Sequence, residues 1–152
     1  MSQYLWFLDT LARVLIDAEH TDGAYDLVEI TAPSGHQPPP HVHHVSGEGW
    51  VVLDGELTVS TADGDTVLSA GQATFSPAGE AHTLRITSAE PCRMLVSSVP
   101  SGFAAFVRAF GQPAERDELP SPQGPPDIER LNRVAQAHNI TMLTKLPRPV
   151  AA

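Results

Sequence analysis

The chain of 152 residues has little cysteine, little positive charge and no long apolar run. Its single cysteine excludes an internal disulfide. Nine lysines and arginines against eighteen acidic residues give a formal charge of −9, which offers no basic surface to a phosphate backbone. No apolar run approaches the roughly 20 residues of a membrane-spanning helix, and the first residues lack the pattern of a secretory signal. We therefore expect a cytoplasmic protein without a nucleic-acid or membrane partner.

Turn residues are frequent by contrast, and they divide the middle of the chain into short segments. Asp-Gly and Ala-Gly pairs recur between runs that are rich in β-branched and apolar residues, which is typical of a sandwich or barrel. The predicted strands are residues 25–31, 50–53, 56–61, 65–68, 73–76, 82–87 and 93–99. Residues 1–18 are apolar enough to form either strand or helix by pattern alone.

Beyond Pro100 the apolar spacing becomes helical. Ser101 is expected to cap a helix and Gly111 to end it. The apolar stripe of this helix is Phe103, Phe106, Val107 and Phe110. Residues 112–126 hold five prolines without apolar periodicity, which predicts a linker or an extended flap.

A second helical pattern covers Asp127 to His138, with Asn139 as its stop. The residues predicted to share its packed face are Ile128, Leu131, Val134 and Ala135. Residues 140–146 are expected to return and pack on the strands.

Two turn-flanked segments carry residues that bind metals. His41 and His43 would face the same side of an extended strand, because side chains alternate along a strand. Glu48 follows five residues later, and His82 lies in a separate short segment. Imidazole nitrogen with carboxylate oxygen suits one divalent Fe, Mn, Co, Ni or Zn ion, without choosing among them.

These segments resemble the two sequence motifs of the cupin family. Nine positions match in type and spacing: Gly35, His41, His43, Glu48 and Gly55 in the first motif, and Gly71, Pro77, Gly79 and His82 in the second. The second motif ends in Asn, which is not a ligand, and Ile86 replaces it here. The resemblance implies an all-β fold, the double-stranded β-helix or jelly-roll barrel, here with two short C-terminal helices. We expect one domain over residues 1–152, with N-terminal strands in 1–34, the barrel motifs in 35–99, and the helices and Pro-rich linker in 100–152.

A closer resemblance, to small quercetinase-like cupins, covers almost the whole chain. It is carried by residues 4–8 (YLWFL), 31–35 (TAPSG), 39–44 (PPHVHH), 52–56 (VLDGE), 100–103 (PSGF) and 126–131 (PDIERL). It implies a dioxygenase that binds an aromatic or polyketide-like enol to the metal and cleaves it with O2. In that chemistry Glu48 is both ligand and proton acceptor. Many relatives have a Glu-Asp pair where this chain has Ser46-Gly47, so the substrate need not be quercetin.

Cupins also include enzymes that use no O2 and proteins without turnover. A metal-dependent polyketide cyclase or isomerase, in which Glu48 or a histidine moves a proton, is therefore the alternative hypothesis, and a ligand-binding module is the third. All three imply a small-molecule partner. The family resemblance and the apolar N-terminal segment favour a homodimer.

Four apolar residues near the predicted ligands have two interpretations of equal weight. Trp50 and Val52 should share the inward face of Glu48, and Leu84 and Ile86 that of His82. They either line a substrate pocket or form ordinary core.

Other reactive residues have simpler interpretations. The strand alternation places His44 away from the ligands. His36 is expected at the surface or on a rim, and Glu80 in solvent. Cys92 is expected in the core, because only Arg93 among its neighbours is basic.

Overall fold

The computed structural model describes residues 3–149, which form two antiparallel sheets and three short helices. The strands are β1 Tyr4–Phe7, β2 Thr10–Ile16, β3 Asp26–Ala32, β4 His41–His43, β5 Gly47–Asp54, β6 Glu56–Thr61, β7 Gly64–Ser69, β8 Ala73–Ser76, β9 Ala81–Ile86, β10 Cys92–Val99, β11 Gln112–Pro113 and β12 Ile140–Met142. The helices are α1 Ala18–Thr21, α2 Phe103–Phe110 and α3 Ile128–Ala137. The all-β prediction and the six strands expected between residues 50 and 99 are confirmed.

The strand order of the two sheets is that of a jelly-roll barrel. One runs β11-β1-β2-β3-β10-β5-β8, and the other runs β12-β4-β9-β6-β7. Alternation along the strands builds the core between them: in β3, Val28, Ile30 and Ala32 are buried and the residues between them are partly exposed. Among the described residues, no helix is long and apolar enough to cross a membrane.

The N-terminal residues form strands joined by a strained turn. Leu8 and Asp9 connect β1 to β2, and both have positive φ angles, 48° and 63°. This two-residue turn requires a left-handed backbone that is costly for Leu. Sequence analysis did not predict α1, a single turn whose first amides are capped by the Asp17 carboxylate.

Helix α2 begins with a cap from a distant strand, and the expected Ser101 cap is wrong. The buried Asp26 carboxylate of β3 accepts hydrogen bonds from the amides of Gly102 and Ala104 at 2.8 and 3.0 Å. Such a cap cannot be read from local sequence, because the two segments are more than seventy residues apart. Gly111 ends the helix as predicted.

Helix α3 also has the predicted extent, with one correction to its packed face. Asp127 caps it by accepting from the Arg130 amide at 3.0 Å, and Asn139 ends it with a φ of 60°. Leu131 is fully buried, but Ile128 is 51% exposed. Ile128 is the first residue of the helix and lies beyond the part that packs on the core, so the prediction was wrong for that position.

The C-terminal return is what positions the first histidine strand. β12 pairs with β4, with Ile140 opposite His43 and Met142 opposite His41. On its other side β4 pairs with β9, which places His41 directly opposite His82. A three-residue strand is therefore held along both edges.

The packing of α3 yields a stability prediction. Replacing the fully buried Leu131 by Ala should lower the free energy of unfolding by about 2–5 kcal/mol, because it leaves a cavity under β12. Gln136→Ala, on the exposed side of the same helix, should change it by less than about 0.5 kcal/mol. Denaturant unfolding of both variants measures this, and equal stabilities would show that α3 does not pack as described.

Candidate metal centre

Four potential ligands converge from three strands in both sheets. His41 and His43 come from β4, His82 from β9, and Glu48 from β5 in the opposite sheet. One ligand atom from each lies within 4.8 Å of the others. His43, Glu48 and His82 are buried, and His41 is partly exposed. The cluster could hold one metal ion.

The Glu48 carboxylate is the centre of this geometry. Its Oε2 atom lies 3.0 Å from Nε2 of His43 and 3.0 Å from Nε2 of His82. The contact with His82 has hydrogen-bond geometry, whereas His43 Nε2 is buried without an aligned partner. His43 Nε2 is thus close to the Glu48 oxygen but is not aligned with it for a hydrogen bond. This arrangement suits a metal ion bound by both atoms.

The outer ring nitrogens of two histidines are fixed by hydrogen bonds. His41 Nδ1 lies 2.9 Å from the Pro39 carbonyl, which can only accept, so the proton is on Nδ1 and the lone pair is on Nε2. His82 Nδ1 lies 3.1 Å from the Ser76 hydroxyl, which itself donates to Glu80 at 2.8 Å. The single hydroxyl hydrogen of Ser76 is then used, so His82 Nδ1 must be the donor.

The hydrogen bonds from His82 through Ser76 to Glu80 indicate that the four residues could hold a metal ion. When neutral His82 carries its proton on Nδ1, its Nε2 lone pair faces the Glu48 oxygen at 3.0 Å. Two lone pairs at that distance repel each other unless they share a cation, which is either a proton or a metal ion. Histidines whose second nitrogen donates to an oxygen are the usual arrangement around a bound metal. The donor set and its orientation therefore fit a divalent ion.

The electrostatics favour the metal-binding protonation states of His41 and Glu48. Burial and the neighbouring His82 lower the pKa of His41 to about 4, so its ring is neutral at pH 7. Burial alone would raise the pKa of Glu48, but the His43 and His82 rings, each 3.0 Å from its Oε2 atom, outweigh burial and hold the pKa below its usual range. The pKa of His43 is raised, because Glu48 outweighs the effect of burial.

A small apolar cavity of about 70 Å³ opens beside the cluster. Most of its wall is aliphatic or aromatic, contributed by Phe7, Leu8, Ile30, Ala32, Trp50, Leu84, Met94, Val96, Phe103, Phe106, Ile140 and Met142. His41, His43 and Glu48 form part of the same wall. A ligand in this cavity would contact the cluster with most water excluded.

The structure separates the four apolar candidates into two pairs. Trp50 and Leu84 line the cavity, and the Trp50 ring packs edge-on against His82 at 5.0 Å. Val52 and Ile86 are buried in the hydrophobic core and are not part of the cavity wall. The Trp50 indole N–H is buried without a hydrogen-bond partner. It is therefore an unused donor on a residue of the cavity wall.

The remaining reactive residues lie mostly where they were expected. His44 is exposed and contacts Thr141 at 2.7 Å, and His36 lines the cavity rim. Cys92 is fully buried in the core, and burial, with Asp54, raises the pKa of its thiol to about 11.

Sequence analysis missed the link between Ser76 and Glu80 and expected Glu80 in solvent. The structure instead connects Glu80 through Ser76 to His82. Ser76 lies opposite Glu48 in the β5–β8 pair. Only this strand register places Ser76 next to the cluster, and the sequence pattern does not reveal it.

Residues 27–98 match the family model of the cupin domain. This part of the chain is a cupin domain. The chain is 29% identical to quercetin 2,3-dioxygenase of Bacillus subtilis over 84% of its own length, but spans only 37% of that protein. It is also similar to the structure of the polyketide cyclase RemF from Streptomyces resistomycificus, at 28% identity and a TM-score of 0.52 over 60% of this chain and 65% of that one.

A second solved structure supports the fold alone. The structure of a predicted oxalate decarboxylase from Thermotoga maritima has a TM-score of 0.56 at 22% identity, covering 60% of this chain and 80% of that one. The double-stranded β-helix predicted from the two motifs is confirmed. Its relatives include enzymes of several reaction types.

The first site prediction concerns metal content. His41→Ala, His43→Ala and His82→Ala should each lose most of the bound metal, because each removes one donor of the cluster. His44→Ala, next in sequence but outside the cluster, should keep full occupancy. Elemental analysis of protein purified without an affinity tag measures this. Full occupancy in all three cluster variants would contradict the site.

The second site prediction concerns Ser76. Ser76→Ala leaves all four potential ligands in place but removes the nearer acceptor for His82 Nδ1, leaving only the Glu80 carbonyl at 3.3 Å, so metal affinity should fall by about tenfold. Ser69→Ala, on an exposed position of β7, is the matched control. Competition with a chelator of known affinity measures the change, and an unchanged affinity would show that the hydrogen bond does not orient His82.

Proposed function

We propose that this protein is a metal-dependent dioxygenase that acts on an aromatic or polyketide-like enol. The observation that carries the proposal is the position of Glu48, which contacts two histidines of the cluster and also forms part of the wall of an apolar cavity. The similarity to a quercetin 2,3-dioxygenase over most of the chain supports the same reaction class.

His41, His43, Glu48 and His82 would hold the ion. A divalent ion bound there would supply Lewis-acid polarisation of a substrate oxygen and, if redox-active, electron exchange with O2. The chain itself would supply the base: the Glu48 carboxylate forms part of the cavity wall and would accept the proton of a substrate hydroxyl bound there.

Other residues of the wall would position the enol and keep it dry. Trp50 and Leu84 exclude water beside the cluster, which strengthens every electrostatic interaction there. The unpartnered Trp50 N–H is a donor that a substrate oxygen could satisfy.

The alternative is a cyclase or isomerase that consumes no O2. The observation that favours it is the similarity to the polyketide cyclase RemF, whose identity to this chain is close to that of the dioxygenase. The same Glu48 would then move a proton between two positions of one substrate.

Three further expectations belong to this proposal. The chain would act as one domain over residues 1–152, as a homodimer and in the cytoplasm. A ligand-binding role without turnover is the outcome if no substrate gives a product.

Oxygen uptake separates the two enzymatic hypotheses. The dioxygenase hypothesis predicts that turnover of an enol substrate consumes O2 in a fixed ratio to product and stops under strict anaerobiosis. An undiminished product yield without O2 would contradict the dioxygenase and favour the cyclase or isomerase.

The role of Glu48 is tested by a conservative change. Glu48→Gln keeps an oxygen donor but has no basic carboxylate, so it should keep a substantial part of its metal and lose about 10²–10⁴-fold in turnover rate. Glu90→Gln, at an exposed position, should leave both unchanged. An active Glu48→Gln enzyme would remove the proton-transfer role under either hypothesis.

A further inference from the structure

A second, larger cavity lies next to the first, on its outer side. It measures about 680 Å³, against about 70 Å³ for the inner cavity. The inner cavity has room for only a few water molecules, whereas ligand pockets are typically about 300–1,000 Å³. A substrate of several rings cannot lie wholly beside the metal cluster, and the outer cavity provides the remaining space.

The two cavities share three wall residues, Leu8, His36 and Pro38, which we call the neck. One side of the neck is anchored to β9, because the His36 carbonyl accepts from the Ile86 amide and the Pro38 carbonyl accepts from the Thr83 hydroxyl. The other side is Leu8, held with a positive φ in the turn between β1 and β2. A residue kept in a costly conformation at this point is consistent with a functional constraint.

The Pro-rich segment forms the far wall of the outer cavity. Pro120, Gln123, Gly124, Pro125 and Pro126 line it, together with Pro38, Pro39 and Pro40. Two hydrogen bonds tie the segment to the N-terminal hairpin: Trp6 Nε1 donates to the Glu118 carbonyl at 2.9 Å, and the Gln123 amide donates to Asp9 at 3.3 Å. The Pro-rich segment was expected to be a linker or an extended flap. These hydrogen bonds instead hold it in place as one wall of the outer cavity.

The composition of this wall indicates what would bind. Prolines and the rings of Trp6 and Phe110, each of which has an arginine guanidinium over it, offer apolar surfaces, and Gln37 and Gln112 add neutral amide groups. The two carboxylates of the wall are already engaged, because Asp9 accepts from the Gln123 amide and Asp127 from the Arg130 amide. The one Arg of the wall, Arg130, already donates to the Phe110 carbonyl at 2.9 Å and lies over its ring at 4.4 Å. A flat, uncharged, hydroxylated ring system matches these surfaces.

We propose that a multi-ring substrate binds across both cavities, with its reacting ring in the inner one and its distal rings in the outer one, and that Leu8 contacts it at the neck. The proposal rests on the proposed function, since it takes the enol as the reacting end. Leu8 and the outer wall are then specificity-determining positions, which select for long substrates over single rings.

The two tryptophans of the chain report on the two cavities separately. Trp50 lines the inner cavity and Trp6 the outer one. Labelling with 5-fluorotryptophan gives one fluorine resonance for each, which Trp6→Phe and Trp50→Phe assign. The probes are catechol, with one ring, and quercetin, with three, added to the zinc-loaded protein without O2 so that no oxidation occurs.

Catechol is expected to shift the Trp50 resonance only, and quercetin both resonances. A quercetin-induced shift of Trp50 alone, of Trp6 alone, or of neither would overturn binding across the two cavities. Metal content is measured on the same preparations, and O2 uptake is measured separately in air on protein that keeps the metal with which it was purified, so a failure of the proposed function is seen separately from a failure of this binding mode.

A neck variant provides the second test. Leu8→Gly keeps the positive φ without strain but removes a side chain that lines both cavities. Quercetin, which would contact Leu8 from both sides, should bind about tenfold more weakly, and catechol, which would contact only its inner side, should lose clearly less affinity. Asp22→Gly relieves the same kind of backbone conformation, φ 52°, outside both cavities and should alter neither affinity. Equal quercetin affinity in Leu8→Gly and the unmodified protein would overturn the neck contact.

Discussion

The buried carboxylate of Glu48 is the constraint on which the rest of the site depends. It is 3% exposed and lies 3.0 Å from two imidazole nitrogens, so it is removed from water without any lysine or arginine beside it. A buried charge of this kind is stable only when it is paired and hydrogen-bonded. The surrounding histidines, with a cation among them, meet that requirement, and the same arrangement leaves an ionised oxygen facing an apolar cavity.

The fold holds this arrangement by pairing short strands at both edges. β4 is only three residues long, and β9 and β12 flank it. β5 comes from the opposite sheet and brings Glu48 across the barrel to the histidines. The C-terminal helix and strand therefore do more than cover the barrel, because β12 completes the sheet that carries three of the four potential ligands.

Local pattern predicted much of this site, and long-range pairing decided the rest. The two-residue spacing of His41 and His43 on a strand is a local property, so the sequence motif could place both rings on one face. The orientation of His82 depends on Ser76 and Glu80, and the position of Ser76 depends on the pairing of β8 with β5. No local pattern contains that register.

The same distinction explains the errors outside the site. Ser101 is a residue type that often caps helices. The first amides of α2 instead donate to the carboxylate of Asp26, which comes from β3. Ile128 fitted the helical stripe, but its helix extends past the core at that end. Residues 112–126 had no periodicity to interpret, and their position became clear only from their hydrogen bonds to the N-terminal hairpin.

The most direct test of the central claim is anomalous diffraction from crystals of untagged protein at the absorption edge of the metal found in it. The account predicts one strong peak among His41, His43, Glu48 and His82, at about 2.0–2.2 Å from the ligand atoms. Metal-replete protein with no peak at this cluster, or with its metal bound elsewhere, would contradict it.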